Sequence, residues 1–206
     1  MRKAGLILIA LGVLLTFCAG GWLTWNEEDE RRADTAAQTA LQALTEALDA
    51  ETSGGKLTEN PKTDVQNPAE ETKMPVIWVD GVAYIGTLSI PELGLELPVQ
   101  AECTEEGLKN SPCRYWGTLE SRDLVIAGHN YKRHFTPVKN LKPGAKILFR
   151  DAESRDYEFV VSAVETVAGT DVEAMIANSG DWDMTLFTCT YGGRDRVAIR
   201  CVRTDE

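Results

Sequence analysis

A cysteine and an arginine face each other across a predicted hairpin near the end of the chain. The segment "MTLFTCTYGGRDRVAIRC" places Cys189 at the end of one apolar run and Arg196 at the start of the next. If Gly192 and Gly193, which tolerate positive φ, form a two-residue turn, Cys189 lies directly opposite Arg196. Directly opposed side chains share a face, with Cβ atoms about 4.5–5.5 Å apart. A neighbouring cation favours the thiolate, which is the nucleophilic form of cysteine.

Two other arginines on the second strand compete with Arg196 for this role. Arg200 shares its face of the sheet but lies about 13 Å farther along the strand, at about 3.3 Å per residue. Arg194 would take its place only if the turn had three residues. The spacing therefore favours Arg196.

The five cysteines are too few for a disulfide framework, so the fold depends on its own hydrophobic core. Cys189 and Cys201 would lie about 16 Å apart along the hairpin, whereas bridged Cα atoms lie within about 7 Å, so we expect no bridge between them. Cys103 and Cys113 could form a disulfide across a short loop, or they could be two separate buried residues.

Nucleophilic catalysis on an amide also needs a group that carries protons to and from the reacting nitrogen. The chain has two histidines. His129 lies at the end of the apolar run "LVIAGHN", where a predicted strand emerges into a loop, and we expect it to be the proton carrier. His134 follows Lys132 and Arg133 and is expected to lie in solvent. Because the two histidines and Cys189 match no common zinc spacing, we predict no metal site, and no cofactor is expected.

Short strands must position these residues. From Met74 onward, apolar runs at irregular spacing predict seven or eight strands, and Asp80–Gly81 between two of them predicts a hairpin. The segment "TDVEAMIAN" is the best candidate for a short helix. Residues 74–206 therefore predict a closed or nearly closed antiparallel β-barrel.

The N-terminal residues 1–25 predict a cytoplasmic tip and a membrane anchor. Residues 4–25 carry no charge, and about 20 apolar residues span a bilayer core, whereas the apolar part of a signal peptide has about 7–15. Arg2 and Lys3 precede this segment and an acidic run at 27–30 follows it. The positive-inside rule therefore places the N-terminus in the cytoplasm and the rest of the chain outside a single-pass anchor. A cleaved signal peptide is the alternative, because "CAGG" is rich in small residues.

Residues 26–73 are predicted to form a helical stalk and a flexible linker. Asn26 can cap a helix whose apolar residues recur at three- and four-residue spacing as far as Leu48. A solvated stalk is favoured over a self-association seam for this apolar stripe. Residues 51–73 contain few large apolar side chains and predict the linker.

The net charge excludes one class of partner. The chain carries 21 Lys and Arg against 32 Asp and Glu, a net charge of −11, and its basic residues do not cluster. Because nucleic-acid binding needs a basic surface, we expect no nucleic acid as a partner.

Four motifs, in order, resemble those of the sortase family, the membrane-anchored cysteine transpeptidases of Gram-positive bacteria. "TLFTC", ending at Cys189, is similar to the TLxTC signature, and "LVIAGHN" is similar to the catalytic-histidine motif. "YIGTLSIPELGLELPV", residues 84–99, resembles the first strands of the sortase barrel, and Arg196 matches the third catalytic position. The resemblance covers residues 74–203.

The resemblance implies an eight-stranded sortase β-barrel and a peptide-exchange reaction. Cys189 would attack the Thr–Gly bond of an LPxTG-like sorting signal on a surface protein and form a thioacyl intermediate. An amine from the cell-wall precursor or from a pilin would then resolve this intermediate. His129 would carry the protons and Arg196 would donate to the oxyanion. Segment 167–182 would read the sorting signal.

Two observations bear on the subclass that the resemblance leaves open. The loop after the cysteine is short, and no second hydrophobic segment follows the domain. We therefore expect a housekeeping, sporulation-type or accessory sortase in preference to a pilin polymerase. The alternative function is a catalytically inactive sortase-like domain that binds other molecules at the cell surface.

Overall fold

The computed structural model describes residues 2–52, 74–177 and 180–204, which form a mostly β domain with one long helix packed against it. The helices are α1 (Arg2–Thr52), α2 (Glu105–Asn110) and α3 (Val172–Ile176). The strands are β1 (Ile77–Val79), β2 (Val82–Ile90), β3 (Leu95–Gln100), β4 (Cys113–Trp116), β5 (Leu124–Ala127), β6 (Lys146–Asp151), β7 (Asp156–Ala168), β8 (Met184–Cys189) and β9 (Asp195–Arg203).

Eight of the described strands form a closed barrel. Their order is β2, β3, β4, β5, β8, β9, β7 and β6, and β6 pairs with β2 to complete the circle. β1 lies outside the circle and pairs with the start of β2 through the predicted Asp80–Gly81 turn, in which both residues have positive φ. The structure therefore confirms the predicted closed eight-stranded β-barrel with short helices.

The prediction of a wholly antiparallel barrel is wrong at two strand pairs. β5 pairs with β8 in parallel, and β3 meets β4 in parallel at one residue pair. Parallel neighbours need a long crossover connection, which the chain supplies between β5 and β8 with β6, β7 and α3. An apolar run predicts a strand but does not reveal which distant strand will be its neighbour.

Large apolar side chains fill the interior of the barrel. Leu88, Phe149, Leu186 and Ile199 come from four different strands and are buried in one cluster. Burying a side chain of this size contributes roughly 1.5–3 kcal/mol relative to leaving it exposed. This core makes the barrel a rigid support for residues at its rim.

Helix α1 packs along the barrel, and the predicted solvated stalk is therefore wrong. The helix runs without interruption through Asn26, so the prediction that Asn26 caps the start of a helix is wrong. Ala33, Ala37, Leu44 and Leu48 form its buried stripe, and the helix contacts β1, β2 and β3. The recurring apolar residues thus cover the barrel, because burying an apolar stripe against the protein is lower in free energy than exposing it to water.

The structure does not confirm the predicted membrane anchor, and it does not describe most of the predicted linker. Among the residues that the structure describes, no helix is both long and apolar enough to cross a membrane, so the transmembrane helix predicted over 4–25 is not confirmed. Most of the predicted linker, residues 53–73, lies outside the described residues.

Cys103 and Cys113 form a disulfide, which is one of the two alternatives that the sequence left open. Their Cα atoms lie 5.0 Å apart, within the range of bridged cysteines. The bridge closes the loop that contains α2, whose first turn is capped by the Thr104 hydroxyl. Cys189 and Cys201 are not bridged, as their predicted separation required.

The packing of α1 predicts that its buried stripe contributes to the stability of the whole domain. Leu44 is fully buried against the barrel. We expect Leu44→Ala to lower the free energy of unfolding by about 2–5 kcal/mol, because the substitution leaves a cavity that the barrel cannot fill. Urea unfolding followed by circular dichroism measures the change. Gln38→Ala, on the exposed face of the same helix, is the matched control, and equal effects of the two variants would contradict the packing.

Candidate active site

Strand β8 lies between β5 and β9 and brings the sequence-predicted residues to one end of the barrel. It pairs in parallel with β5 as far as Ala127↔Phe187. It pairs antiparallel with β9, and the last pair of that ladder is Cys189 opposite Arg196. The predicted register is therefore confirmed, and the thiol and the guanidinium start from neighbouring positions on one face.

The turn that joins β8 to β9 is longer than predicted. The Thr190 amide donates to the Asp195 carbonyl oxygen at 2.9 Å, and the Gly193 amide donates to the Thr190 carbonyl oxygen at 2.9 Å. Gly192 and Gly193 have φ of 90° and 71°, the positive values expected of them. The strand pairing thus ends at Thr190 and Asp195, and a four-residue loop replaces the predicted two-residue turn. The register survives because both turns keep the same residues opposite each other.

His129 enters the site from the end of β5. The Gly128 amide donates to the Phe187 carbonyl oxygen at 3.0 Å, so the parallel pairing continues past the last residue of β5. His129 lies two residues after Ala127, and Cys189 lies two residues after Phe187. Residues two apart on a strand point to the same face, so the two side chains occupy matching positions on neighbouring strands.

Phe135 holds the loop after His129 against the barrel. Its ring is fully buried and lies so close to Gly128 that a Cβ on that glycine would collide with it. The Phe135 amide also donates to the His129 carbonyl oxygen at 3.2 Å. A glycine before the histidine is therefore a packing requirement, because it lets the ring close over the strand end and hold the histidine backbone.

The His129 imidazole is half-buried and stacks on Tyr131. The two ring centroids lie 4.0 Å apart with an interplanar angle of 18°. Burial lowers the pKa of His129, the carboxylate of Asp29 opposes this shift, and Lys109 reinforces it. Its Nδ1 atom is buried and has no hydrogen-bond partner among the described residues. A mainly neutral imidazole in this setting can accept a proton and return it.

Cys189 is half-buried on the outer face of the barrel. It shares this face with Phe187, which belongs to an apolar cluster formed with residues of β5, β7, β9 and α3. Tyr115 packs its ring edge-on against Phe187, with centroids 5.2 Å apart. Cys189, two residues after Phe187 on the same face, therefore lies at the edge of an apolar surface and is partly exposed to solvent.

The Arg196 guanidinium binds the turn in this structure. Its Nη1 donates to the carbonyl oxygens of Gly193 at 2.9 Å and Asp195 at 3.2 Å. Gly169 lies beside it, since a Cβ at that position would stand 2.9 Å from the same nitrogen. A guanidinium has five N–H donors, so Arg196 can bind further acceptors without leaving the turn.

Arg200 holds the connection between β7 and β8, a role that the sequence did not predict. It is 2 % exposed, and its guanidinium donates to Glu165 Oε1, Thr185 Oγ1 and the carbonyl oxygens of Ala174 and Met175. The last two belong to α3 and would otherwise lack partners within so short a helix. Residue alternation correctly placed Arg200 on the same face of the sheet as Cys189. It could not reveal the contact with α3, because that helix is distant from Arg200 in the sequence.

The prediction that His134 lies in solvent is wrong. This residue is fully buried and packs edge-on against Tyr131, with ring centroids 5.6 Å apart. Burial lowers the pKa of His134, while the Ala33 backbone and Asp34 act in the opposite direction. Both of those residues belong to α1, so the helix that covers the barrel also covers His134.

The described residues contain no group of three or more His, Cys, Asp or Glu side chains placed to hold a metal ion. The site instead combines a partly exposed thiol, an imidazole that follows the end of the neighbouring strand β5, and a guanidinium across the ladder. Side chains of these three types can act as a nucleophile, a proton carrier and a hydrogen-bond donor for a developing negative charge. This set of groups is suited to acyl transfer.

A family model for the sortase domain matches residues 88–204, more than half of the chain. Among curated proteins, the chain is 29% identical over 182 residues to a sortase A of Bacillus anthracis, a match that covers 85% of this chain and 84% of that protein.

Solved structures have the same fold. Sortase C1 of Streptococcus agalactiae gives a TM-score of 0.54 at 24% identity, over 63% of this chain and 72% of that one. Sortase C of Streptococcus pneumoniae also gives a TM-score of 0.54, at 20% identity, over 87% of this chain and 96% of that one.

The contacts of Arg200 predict that its loss destabilises the domain. Arg200→Ala leaves the α3 carbonyl oxygens without their buried donor, and we expect it to cost about 1–3 kcal/mol of unfolding free energy. The loss of the ion pair with Glu165 adds little, because that side chain is 46 % exposed. Arg194→Ala, at an exposed position on the turn, should change stability by less than about 0.5 kcal/mol. Chemical denaturation of both variants measures the difference, and a loss below about 1 kcal/mol for Arg200→Ala would contradict the role given to it.

Proposed function

The chain belongs to the sortase family of cell-wall transpeptidases, and we propose that it cleaves an LPxTG-like sorting signal through a thioacyl intermediate on Cys189. One observation carries the proposal. The ladder pair between Cys189 and Arg196 stands at the end of β8, beside the end of β5 that carries His129. All three groups needed for thiol-dependent acyl transfer are thus present on adjacent strands.

In the first half of the proposed reaction, the Cys189 thiolate adds to the carbonyl carbon of the threonine in the sorting signal. The carbonyl electrons move to the oxygen, which becomes an oxyanion. When the oxyanion collapses, the bond to the glycine nitrogen breaks, and His129 in its protonated form gives its proton to the leaving amine. The product is a thioester between Cys189 and the threonine carbonyl.

In the second half, an acceptor amine adds to the thioester carbonyl. His129 takes a proton from this amine, the carbon–sulfur bond breaks, and the thiolate returns. The surface protein is then joined to the acceptor through a new amide bond. We propose a cell-wall precursor or a pilin as the source of the amine, because both supply a primary amine that a neutral imidazole can deprotonate.

Arg196 is proposed to stabilise the oxyanion in both halves. Its position opposite Cys189 and its remaining N–H donors support this role. Its hydrogen bonds to Gly193 and Asp195 fix the guanidinium before substrate arrives, and a donor fixed in advance needs no reorganisation when the charge develops.

We also propose that residues 4–25 anchor the chain in the cytoplasmic membrane, with the N-terminus inside and the catalytic domain outside. The charges that flank this segment support the orientation. Large apolar side chains along it, including Leu15, Phe17 and Trp22, are exposed and therefore without a protein surface to cover them. Protease treatment of intact protoplasts should digest the catalytic domain. Survival of the domain while a known external protein is digested would contradict the orientation.

The enzymatic proposal predicts that Cys189 is required for turnover and that the other free cysteine of the barrel is not. Cys189→Ala should reduce cleavage of a fluorogenic LPxTG-type peptide to background while leaving the circular dichroism spectrum unchanged. Cys201→Ala is the matched control, because burial raises the pKa of that thiol and keeps it protonated within the core. A Cys189→Ala variant that retains activity would exclude the proposed mechanism, and inactive wild-type protein would favour the binding-domain alternative.

The same assay distinguishes Arg196 from its neighbour Arg194. Arg196→Lys and Arg196→Ala should each lower kcat by about 10²–10³, since lysine keeps the charge but lacks the planar arrangement of several donors. Arg194→Ala should change kcat by less than about tenfold, because Arg194 lies in the loop beyond the ladder. The reverse order of effects would assign the oxyanion role to Arg194.

A further inference from the structure

Helix α1 reaches the loop that carries the catalytic histidine. The Tyr131 hydroxyl donates a hydrogen bond to Asp29 Oδ2 at 2.6 Å. Burial and the Asp29 carboxylate raise the pKa of Tyr131, so its hydroxyl remains a donor. A hydrogen bond from a phenol to a carboxylate is charge-assisted and is stronger than one between neutral groups.

The two residues after Tyr131 also bind acidic side chains of α1. Lys132 Nζ lies 3.6 Å from Glu30, and Arg133 Nη1 donates to Asp34 Oδ2 at 2.7 Å. Three consecutive loop residues therefore contact three acids within two turns of one helix. Lys132 and Arg133 are largely exposed, and such pairs contribute little to stability, whereas Tyr131 is buried.

Tyr131 connects α1 to His129, because it binds Asp29 through its hydroxyl and stacks on the imidazole through its ring. Its ring lies parallel to the imidazole, with centroids 4.0 Å apart, and thus forms one wall of the histidine site. Tyr131 cannot move without opening that wall, and its hydroxyl is tied to α1. The buried stripe of α1 in turn fixes the helix on the barrel.

Charged groups reach His129 from several elements. Asp29 approaches from α1 and Lys109 from α2, and His134 lies in the same loop. Asp29 is the group among these that favours the imidazolium, while Lys109 and burial disfavour it. Removing the negative charge of Asp29 should therefore lower the pKa of His129 further.

We propose that Asp29 and Tyr131 are positioning residues of the active site, which makes helix α1 a functional part of the catalytic centre. Tyr131 holds the plane of the His129 ring by stacking, and Asp29 holds Tyr131 by its hydrogen bond. Neither residue touches the reacting atoms. The expected kinetic effects rest on the proposed transpeptidase function. The attachment of the His129 loop to α1 does not depend on the identity of the substrate.

The first test follows the titration of the two histidines by NMR in the full chain, with ¹³C-labelled histidine. The chain has only His129 and His134, so one substitution assigns both signals. Asp29→Asn should lower the pKa of His129 and leave His134 nearly unchanged. Asp34→Asn, the matched control on the same helix, should lower the pKa of His134 and leave His129 nearly unchanged. If Asp29→Asn left the pKa of His129 unchanged, the inference would be overturned.

The second test measures kcat/KM for the sorting peptide over a range of pH. Tyr131→Phe removes the hydroxyl and keeps the ring, and Asp29→Asn keeps an acceptor and removes the charge. We expect each to lower kcat/KM on the order of tenfold, part of the 10²–10⁴ that proton transfer contributes. The double variant should be little worse than either single variant, because both break one linkage. Asp34→Asn should stay within about twofold.

The outcomes separate this inference from the proposed function. If wild-type protein turns over no sorting peptide but the crossed histidine titrations appear, the attachment stands and the proposed substrate is wrong. If peptide is cleaved but Asp29→Asn and Tyr131→Phe remain within about twofold of wild type, the positioning role is wrong. Increased turnover in either variant would also overturn it, because the helix would then restrain the histidine in an unproductive position.

Discussion

The site depends on the position of β8 as a central strand with different kinds of neighbour on its two edges. The antiparallel ladder with β9 ends in the pair of Cys189 and Arg196, and the parallel pairing with β5 ends beside His129. A one-residue slip on either edge would turn a side chain to the opposite face of the barrel. The interior cluster prevents such a slip, because it would bring Leu186 and Ile199 out of the core.

Much of this arrangement could be predicted from the sequence because its causes are local. Cys189 and Arg196 are separated by one short loop, so residue alternation gave the correct pairing even though the turn itself is longer than predicted. The strand that precedes His129 could also be predicted from its short apolar run. The parallel neighbour of that strand was not, since pairing between β5 and β8 follows from closure of the whole barrel.

The residues that sequence reasoning missed are those whose partners are remote. Arg200 was placed on the correct face, but its partners on α3 and β7 could not be read from strand alternation. His134 follows two basic residues and was expected in solvent, whereas α1 covers it. The stripe of α1 was correctly recognised as apolar, and only the surface that it meets was unknown. For Arg200 and the stripe of α1 the local pattern gave the direction of the side chains and the tertiary fold supplied the partner, whereas for His134 the local pattern gave the wrong direction.

Trapping the covalent intermediate would show whether Cys189 is the nucleophile that accepts the acyl group. The full chain would be incubated with an LPxTG-type peptide without an acceptor amine, quenched in acid and examined by intact mass and peptide mapping. We expect a mass increase equal to the peptide portion that ends at threonine, located on Cys189 and released by hydroxylamine. An acyl group located on Cys18 or Cys201 would contradict this role. So would a Cys189→Ala variant that still cleaves the peptide without forming a covalent adduct.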